Sequence, residues 1–197
     1  MTYFWLYFNI GLHHVLNFNG YDHVLFLLVL TVPYIFKDWR NVLILATLFT
    51  VGHTASLMLS VYGVLTFKGE FVEFLIPVTI LLTALFNIFS AGKKAAAKGS
   101  NVNFLAMTTL FFGIIHGLAF GKDFKILIMG SEDSKLTPLL EFALGIECAQ
   151  LIVVLATLLI AFICQEFLRV QKRDWILIIS ALVAGVTLPM IIGSEIW

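Results

Sequence analysis

The sequence predicts an all-α polytopic membrane protein: a bundle of six transmembrane helices preceded by a short N-terminal helix that could itself be a seventh span. Three observations point there. Of 197 residues, 60% are hydrophobic and only 12% charged, with a mean hydropathy of +1.01, whereas a soluble domain is nearer half apolar and a quarter charged. The apolar residues fall in runs of about 20, the length a bilayer demands. The basic residues gather in alternate connections, as in polytopic proteins. Residues 1–197 are expected to form one integral membrane domain. A formal net charge of +0 and the absence of a basic face give no nucleic-acid signal.

The opening segment, 3–18, is apolar but short, and could be a tilted span or an interfacial helix. Its start, "MTYFWLYFNI", has no basic n-region and no small-residue cleavage site, so a signal peptide is not expected. The "NFNG" at 17–20 supplies a turn, because Asn and Gly tolerate positive φ. Six longer runs follow, at roughly 20–36, 41–65, 71–91, 102–122, 139–167 and 175–195. Pro33 and Pro77 sit inside apolar runs, where a kink is tolerated if neighbours satisfy the freed carbonyl. Cys148 and Cys164 are expected on one helix, roughly 24 Å apart, too far for a disulfide.

Orientation follows from the basic residues. Lys37, Arg40, Lys93, Lys94, Lys98, Arg169, Lys172 and Arg173 all fall on one side of the alternation. Lys68, Lys122, Lys125 and Lys135 fall on the other, mixed with Glu70, Glu73, Asp123, Glu132 and Asp133. The side richer in basic residues should be cytoplasmic, and the C-terminus outside. Trp5, Trp39, Trp175 and Trp197 lie near span ends, as interfacial anchors do.

The chemistry lies in the apolar runs. His13, His14, His23, His53 and His116 all fall within them, joined by Asp22, Glu73 and Glu147. An ionisable group in the bilayer costs several kcal/mol unless paired or solvated, so each is a functional candidate, although helix–helix hydrogen bonding is a competing role. Depth argues for a shared site. Asp22 and His23 open the first long span at its outer end. His53 lies near the middle of the second or somewhat outward. His116 lies roughly 9 Å below the outer end of the fourth, and Glu147 about 14 Å below that of the fifth. Imidazole with carboxylate and without thiolate suits nickel, cobalt, zinc, iron or manganese. His14, Asp22, His23, His53, His116 and Glu147 are the expected metal set. Thr50, Thr54, Asn87 and Gln150 could fix histidine tautomers from the next layer. Gly52, Gly113, Gly117, Gly145 and Ala149 flank these positions and would let helix backbones approach closely. His13 and His14 point about 100° apart on a helix, so only one can face the site. His14 is expected to do so.

The segments "GLHHVLNFNGYDHVLFLL", "FTVGHTASL", "VEFLIPVTI", "FGIIHGLAFG" and "LGIECAQ" resemble the HupE/UreJ family of small membrane proteins, including its short branch. The resemblance covers most of residues 11–150 and implies a nickel or cobalt permease. The family's histidine–aspartate–histidine motif looks like His14, Asp22 and His23, and its later histidine–glycine motif looks like His116 and Gly117. Two features depart from the permease pattern. That pattern holds its first histidine closer to the Asp-His pair than the seven residues separating His14 from Asp22 here. Leu118 and Phe120 stand in "HGLAFG" where nickel members carry further histidines.

Two functions compete. The first is a permease for a divalent transition metal in the inner membrane of a bacterium, using a site open to the outer face. The second is an outward-facing metal-dependent hydrolase acting on a lipid or membrane-anchored peptide, with Glu147 or Glu73 as general base. No HExxH motif supports the hydrolase, and the resemblance favours transport. A third possibility, a structural subunit whose histidines only pair helices, would hold no metal. The expected partners are lipid and the ion itself, with a homo-oligomer or a periplasmic partner left open.

Overall fold

The computed structural model describes residues 3–17, 20–65, 69–91, 100–128, 135–194 and 196. Part of the "NFNG" turn (Phe18 and Asn19), the basic residues Lys93, Lys94 and Lys98, and Lys68, Glu132, Asp133 and Trp197 lie outside them. Among the described residues the chain is all-helical. It forms α1 (Tyr3–Leu16), α2 (Asp22–Thr31), α3 (Trp39–Val61), α4 (Gly69–Ser90), α5 (Ser100–Leu127), α6 (Leu136–Glu166) and α7 (Lys172–Ile192), with a short 3₁₀ turn at Phe36–Asp38. Five helices, α3 to α7, are long and apolar enough to cross a membrane. Large apolar side chains such as Phe89, Met107 and Leu182 stand exposed on their outer faces, where lipid would cover them.

The run expected at 20–36 folds as a helix of only 10 residues. Pro33 is the physical reason. It has no N–H to donate to the Val29 carbonyl, so the last helical bond runs from the Val32 N–H to the Leu28 carbonyl at 2.9 Å. A helix this short can sit at membrane depth because protein, rather than lipid, surrounds it. Seven of its residues are buried, among them His23, Phe26, Leu27 and Thr31. It packs against α4, α6 and α7 and touches α1 and α3. The Asn87 side-chain amide on α4 donates to the Val29 carbonyl at 2.6 Å and fastens α2 to that wall. Pro77 and Pro189, by contrast, lie inside continuous helices.

The other helices pair along small residues. On α5, Gly113, Gly117 and Gly121 recur every fourth residue and face α3. A Cβ at Gly113 would collide with the Phe49 carbonyl, and one at Gly117 with the His53 carbonyl and Ser56 Oγ. Gly52 meets the Leu110 carbonyl in the reverse sense. The matched order of these contacts makes α3 and α5 parallel neighbours. Gly11 and Gly145 do the same for α1 and α6, against the Phe142 and Phe8 carbonyls, in antiparallel order. Direct backbone approach of this kind is how helices associate where burial from water supplies little drive. Cys148 and Cys164 both lie on α6 and are free thiols. Trp175 departs from the interfacial role: it is buried with Val32, Ala161 and Ile176, whereas Trp5 and Trp39 are exposed.

Candidate metal site

The two glycine-lined pairs and α2 converge on one point. The α3–α5 register sets His53 beside Gly117, and hence beside His116. The α1–α6 register sets the end of α1 over Phe142. Into the space between comes His23 from the start of α2. His14, His23 and His53 each offer a ring nitrogen within 4.8 Å of the others. Their ring centroids are 4.7 Å apart for His14–His23, and 5.8 Å for both His14–His53 and His23–His53. His116 lies edge-on to His23 at 5.1 Å. His53 and His116 are almost wholly buried. His13, about 100° around α1 from His14, is exposed.

Two of the imidazoles, His23 and His116, are oriented from behind. The Asp22 Oδ1 lies 3.2 Å from His23 Nδ1 and also accepts the His23 backbone N–H at 3.0 Å. The Phe112 carbonyl lies 2.8 Å from His116 Nδ1. Both acceptors call for a proton on Nδ1, which leaves the Nε2 lone pair free. Among the described residues no partner meets Nε2 of His14, His23, His53 or His116, and none meets His53 Nδ1. A buried polar atom without a partner is costly. Several aimed at one place form a donor set for a cation. The carboxylate–imidazole pair at Asp22–His23 is the arrangement that fixes a metal-binding histidine. Phe49, Phe120 and Phe142 wall the cluster, with ring centroids 4.1 Å from His14 for Phe120 and 5.1 Å from His116 for Phe49. Such walls exclude water and strengthen any charge–dipole contact inside.

Asp22 also lines a cavity of about 720 Å³ at the same end of the bundle, with Glu70, Glu73 and Asp123. The cavity therefore presents four carboxylates, and one of them touches the histidine cluster.

The HupE / UreJ protein family matches residues 1–192 of this chain. The chain belongs to that family. No curated protein and no solved structure matches it. Membership of HupE/UreJ implies a metal-transporter role, and the apolar helices make the chain an integral membrane protein.

In this HupE/UreJ chain the other expected residues are dispersed. Glu147 lies on a different face of α6 from Phe142; its Oε1 accepts the Thr47 hydroxyl at 2.7 Å. Glu73 lines the acidic cavity. Neither carboxylate hydrogen-bonds a histidine among the described residues. Nor do the four polar residues expected to hold tautomers. Thr50 donates to the Ala46 carbonyl of its own helix at 3.3 Å, as threonines in helices commonly do. Asn87 is spent on Val29. Thr54 Oγ1 and both amide atoms of Gln150 have no partner among the described residues. A backbone carbonyl and Asp22 do the orienting instead. Asp123 and Glu70 are the additions that sequence reasoning missed. The signal was present: Asp123 lies seven residues after His116, two turns further out on the same helix face.

Proposed function

We propose that this chain is a permease for a divalent transition-metal ion, nickel, cobalt or a zinc-like ion, taken up from the outer face of a bacterial inner membrane. The C-terminus then lies outside, with the loops at 37–40, 92–101 and 168–174 in the cytoplasm. Ions gather in the acidic cavity, pass Asp22 and bind among His14, His23 and His53, with His116 as a fourth donor. The observation that carries this reading is the meeting of three imidazoles from three helices within 4.8 Å, with partner-free nitrogens facing one another. Nitrogen donors with a carboxylate and no thiolate suit this class of ion. Glu147 is tied to Thr47 and stands outside the ligand set.

Hydrolysis is the weaker reading. A general base has to stand within reach of a metal-bound water, and among the described residues Glu147 bonds Thr47 and Glu73 lines the acidic cavity, neither hydrogen-bonding an imidazole. Two measurements decide. Protein purified without a chelating tag should carry a transition metal, and His23→Ala should remove it. Proteoliposomes holding the protein should accumulate nickel, cobalt or zinc. A stable metal-free protein would reduce the histidines to helix pairing, and bound metal without uptake would return the hydrolase.

A further inference from the structure

The histidine cluster sits at the acidic end of the bundle, and a permease also needs a way inward. The inner half of the bundle is short of charge, yet it holds buried polar atoms without partners. The most complete case is Gln150 on α6. The side chain is fully buried, and neither its amide oxygen nor its nitrogen finds a partner among the described residues. A carboxamide so enclosed gives up hydrogen bonds on both atoms, a cost that simple packing would avoid with a leucine.

Its position is definite. Phe142, whose ring touches His14 and His53, lies eight residues earlier on α6, so Gln150 is roughly 12 Å further along the helix. The adjacent Ala149 and nearby Val153 pack in one cluster with Leu27 of α2 and Val42 and Ala46 of α3. Gln150 is therefore buried on α6 beside the cluster that joins α2, α3 and α6. Thr31 of α2 lies one turn beyond Leu27 and eight residues after His23, again roughly 12 Å from the histidine level. Its hydroxyl is likewise fully buried and without a partner among the described residues. Next to it, Val32 packs against Trp175 at the end of α7 that carries Lys172 and Arg173.

We propose that Gln150 is the first inward station for the ion leaving the histidines: its amide oxygen accepts the ion or an ion-bound water, and the Thr31 hydroxyl offers a second oxygen at the same depth. The inference rests on the transport reading above. Its test is a split between binding and movement in the full chain. Gln150→Leu should keep the metal content and affinity of the wild type, measured with nickel, cobalt and zinc in turn. Uptake of the same ions into proteoliposomes should fall by roughly ten- to a hundredfold, the range of a lost hydrogen bond to a charged group. Gln150→Glu, which keeps an oxygen at the same place, should recover uptake, a response a purely structural amide would not give. Gln150→Met replaces the leucine variant if the latter does not fold. Uptake equal to wild type in the apolar variant would overturn the proposal. So would parallel loss of binding and uptake, which would join Gln150 to the histidine site. Absence of uptake by the wild type itself would instead remove the transport reading, and the proposal with it.

Discussion

His13 and His14 are adjacent in the chain and have opposite surroundings. His14 meets His23 and His53, while His13 is exposed. The 100° step between neighbouring helical residues made it certain that only one could face inward; the choice of His14 came from its spacing to Asp22. His14→Ala should therefore strip most of the bound metal, and His13→Ala should leave it nearly intact, as read by metal content of the purified protein. The reverse ranking would mean that α1 presents its other face. Asp22→Asn tests orientation rather than ligation. The isosteric amide keeps the bulk but loses the charge facing His23 Nδ1, and losing such a partner costs about 10–100-fold in metal affinity. Calorimetric titration would measure it. The ionisable residues were legible in the sequence because charge in an apolar run is conspicuous. Asp22, adjacent to His23, was legible as either a ligand or an orienting acceptor, but the backbone partners were not. A carbonyl such as that of Phe112 leaves no trace in composition, and Thr50, Asn87 and Gln150 looked equally eligible although none of them reaches a histidine.

Helix pairing decides whether the histidines meet. Gly117 lies against the His53 carbonyl, so any side chain there pushes α3 from α5 at the level of the site. Gly117→Leu should destabilise the protein by about 1–3 kcal/mol, as overpacking does, and weaken metal binding together with it. Gly185 on α7 is the control. An added Cβ there meets nothing within 4 Å, and Gly185→Ala should hold or raise stability by up to about 1 kcal/mol, because alanine is the better helix former. Thermal melts and metal content on the two variants settle the comparison; equal damage from both would mean that close approach is not what Gly117 supplies. At this scale the sequence was readable where hydropathy alone decides, over α3 to α7. It misled over 20–36. A central helix surrounded by protein needs no bilayer-length run, and the apolar residues beyond Pro33 look the same whether they continue a helix or leave it. Pairing partners were also hidden, since glycines announce close contact without naming the helix contacted.

At the scale of the whole molecule four carboxylates gather in one cavity at one end, an end that also carries Lys122, Lys125 and Lys135. The starts of α2 and α4 and the ends of α5 and α7 meet at one end around Asp22, Glu70, Glu73 and Asp123. Lys37, Arg40, Arg169, Lys172 and Arg173 lie at the other. In the orientation proposed above from the basic asymmetry, that second end would face the cytoplasm. In a background with Cys148 and Cys164 replaced, Gln171→Cys should resist an impermeant thiol reagent added to intact cells, while Tyr62→Cys should react; labelling of the first would invert the protein. In the proposed orientation the carboxylates would face the side from which ions arrive. Carboxylates of one sign around a concave mouth raise the local cation concentration and the capture rate, an effect that salt screens over about 10 Å. Glu70→Gln, Glu73→Gln and Asp123→Asn together should therefore raise the KM for uptake and flatten its dependence on ionic strength. The maximal rate should stay near that of wild type, because saturating ion makes capture irrelevant. The histidines and Asp22 are untouched, so the metal content of the purified protein should not move. A fall in maximal rate with KM unchanged would contradict steering, and would place one of these carboxylates in the translocation step itself.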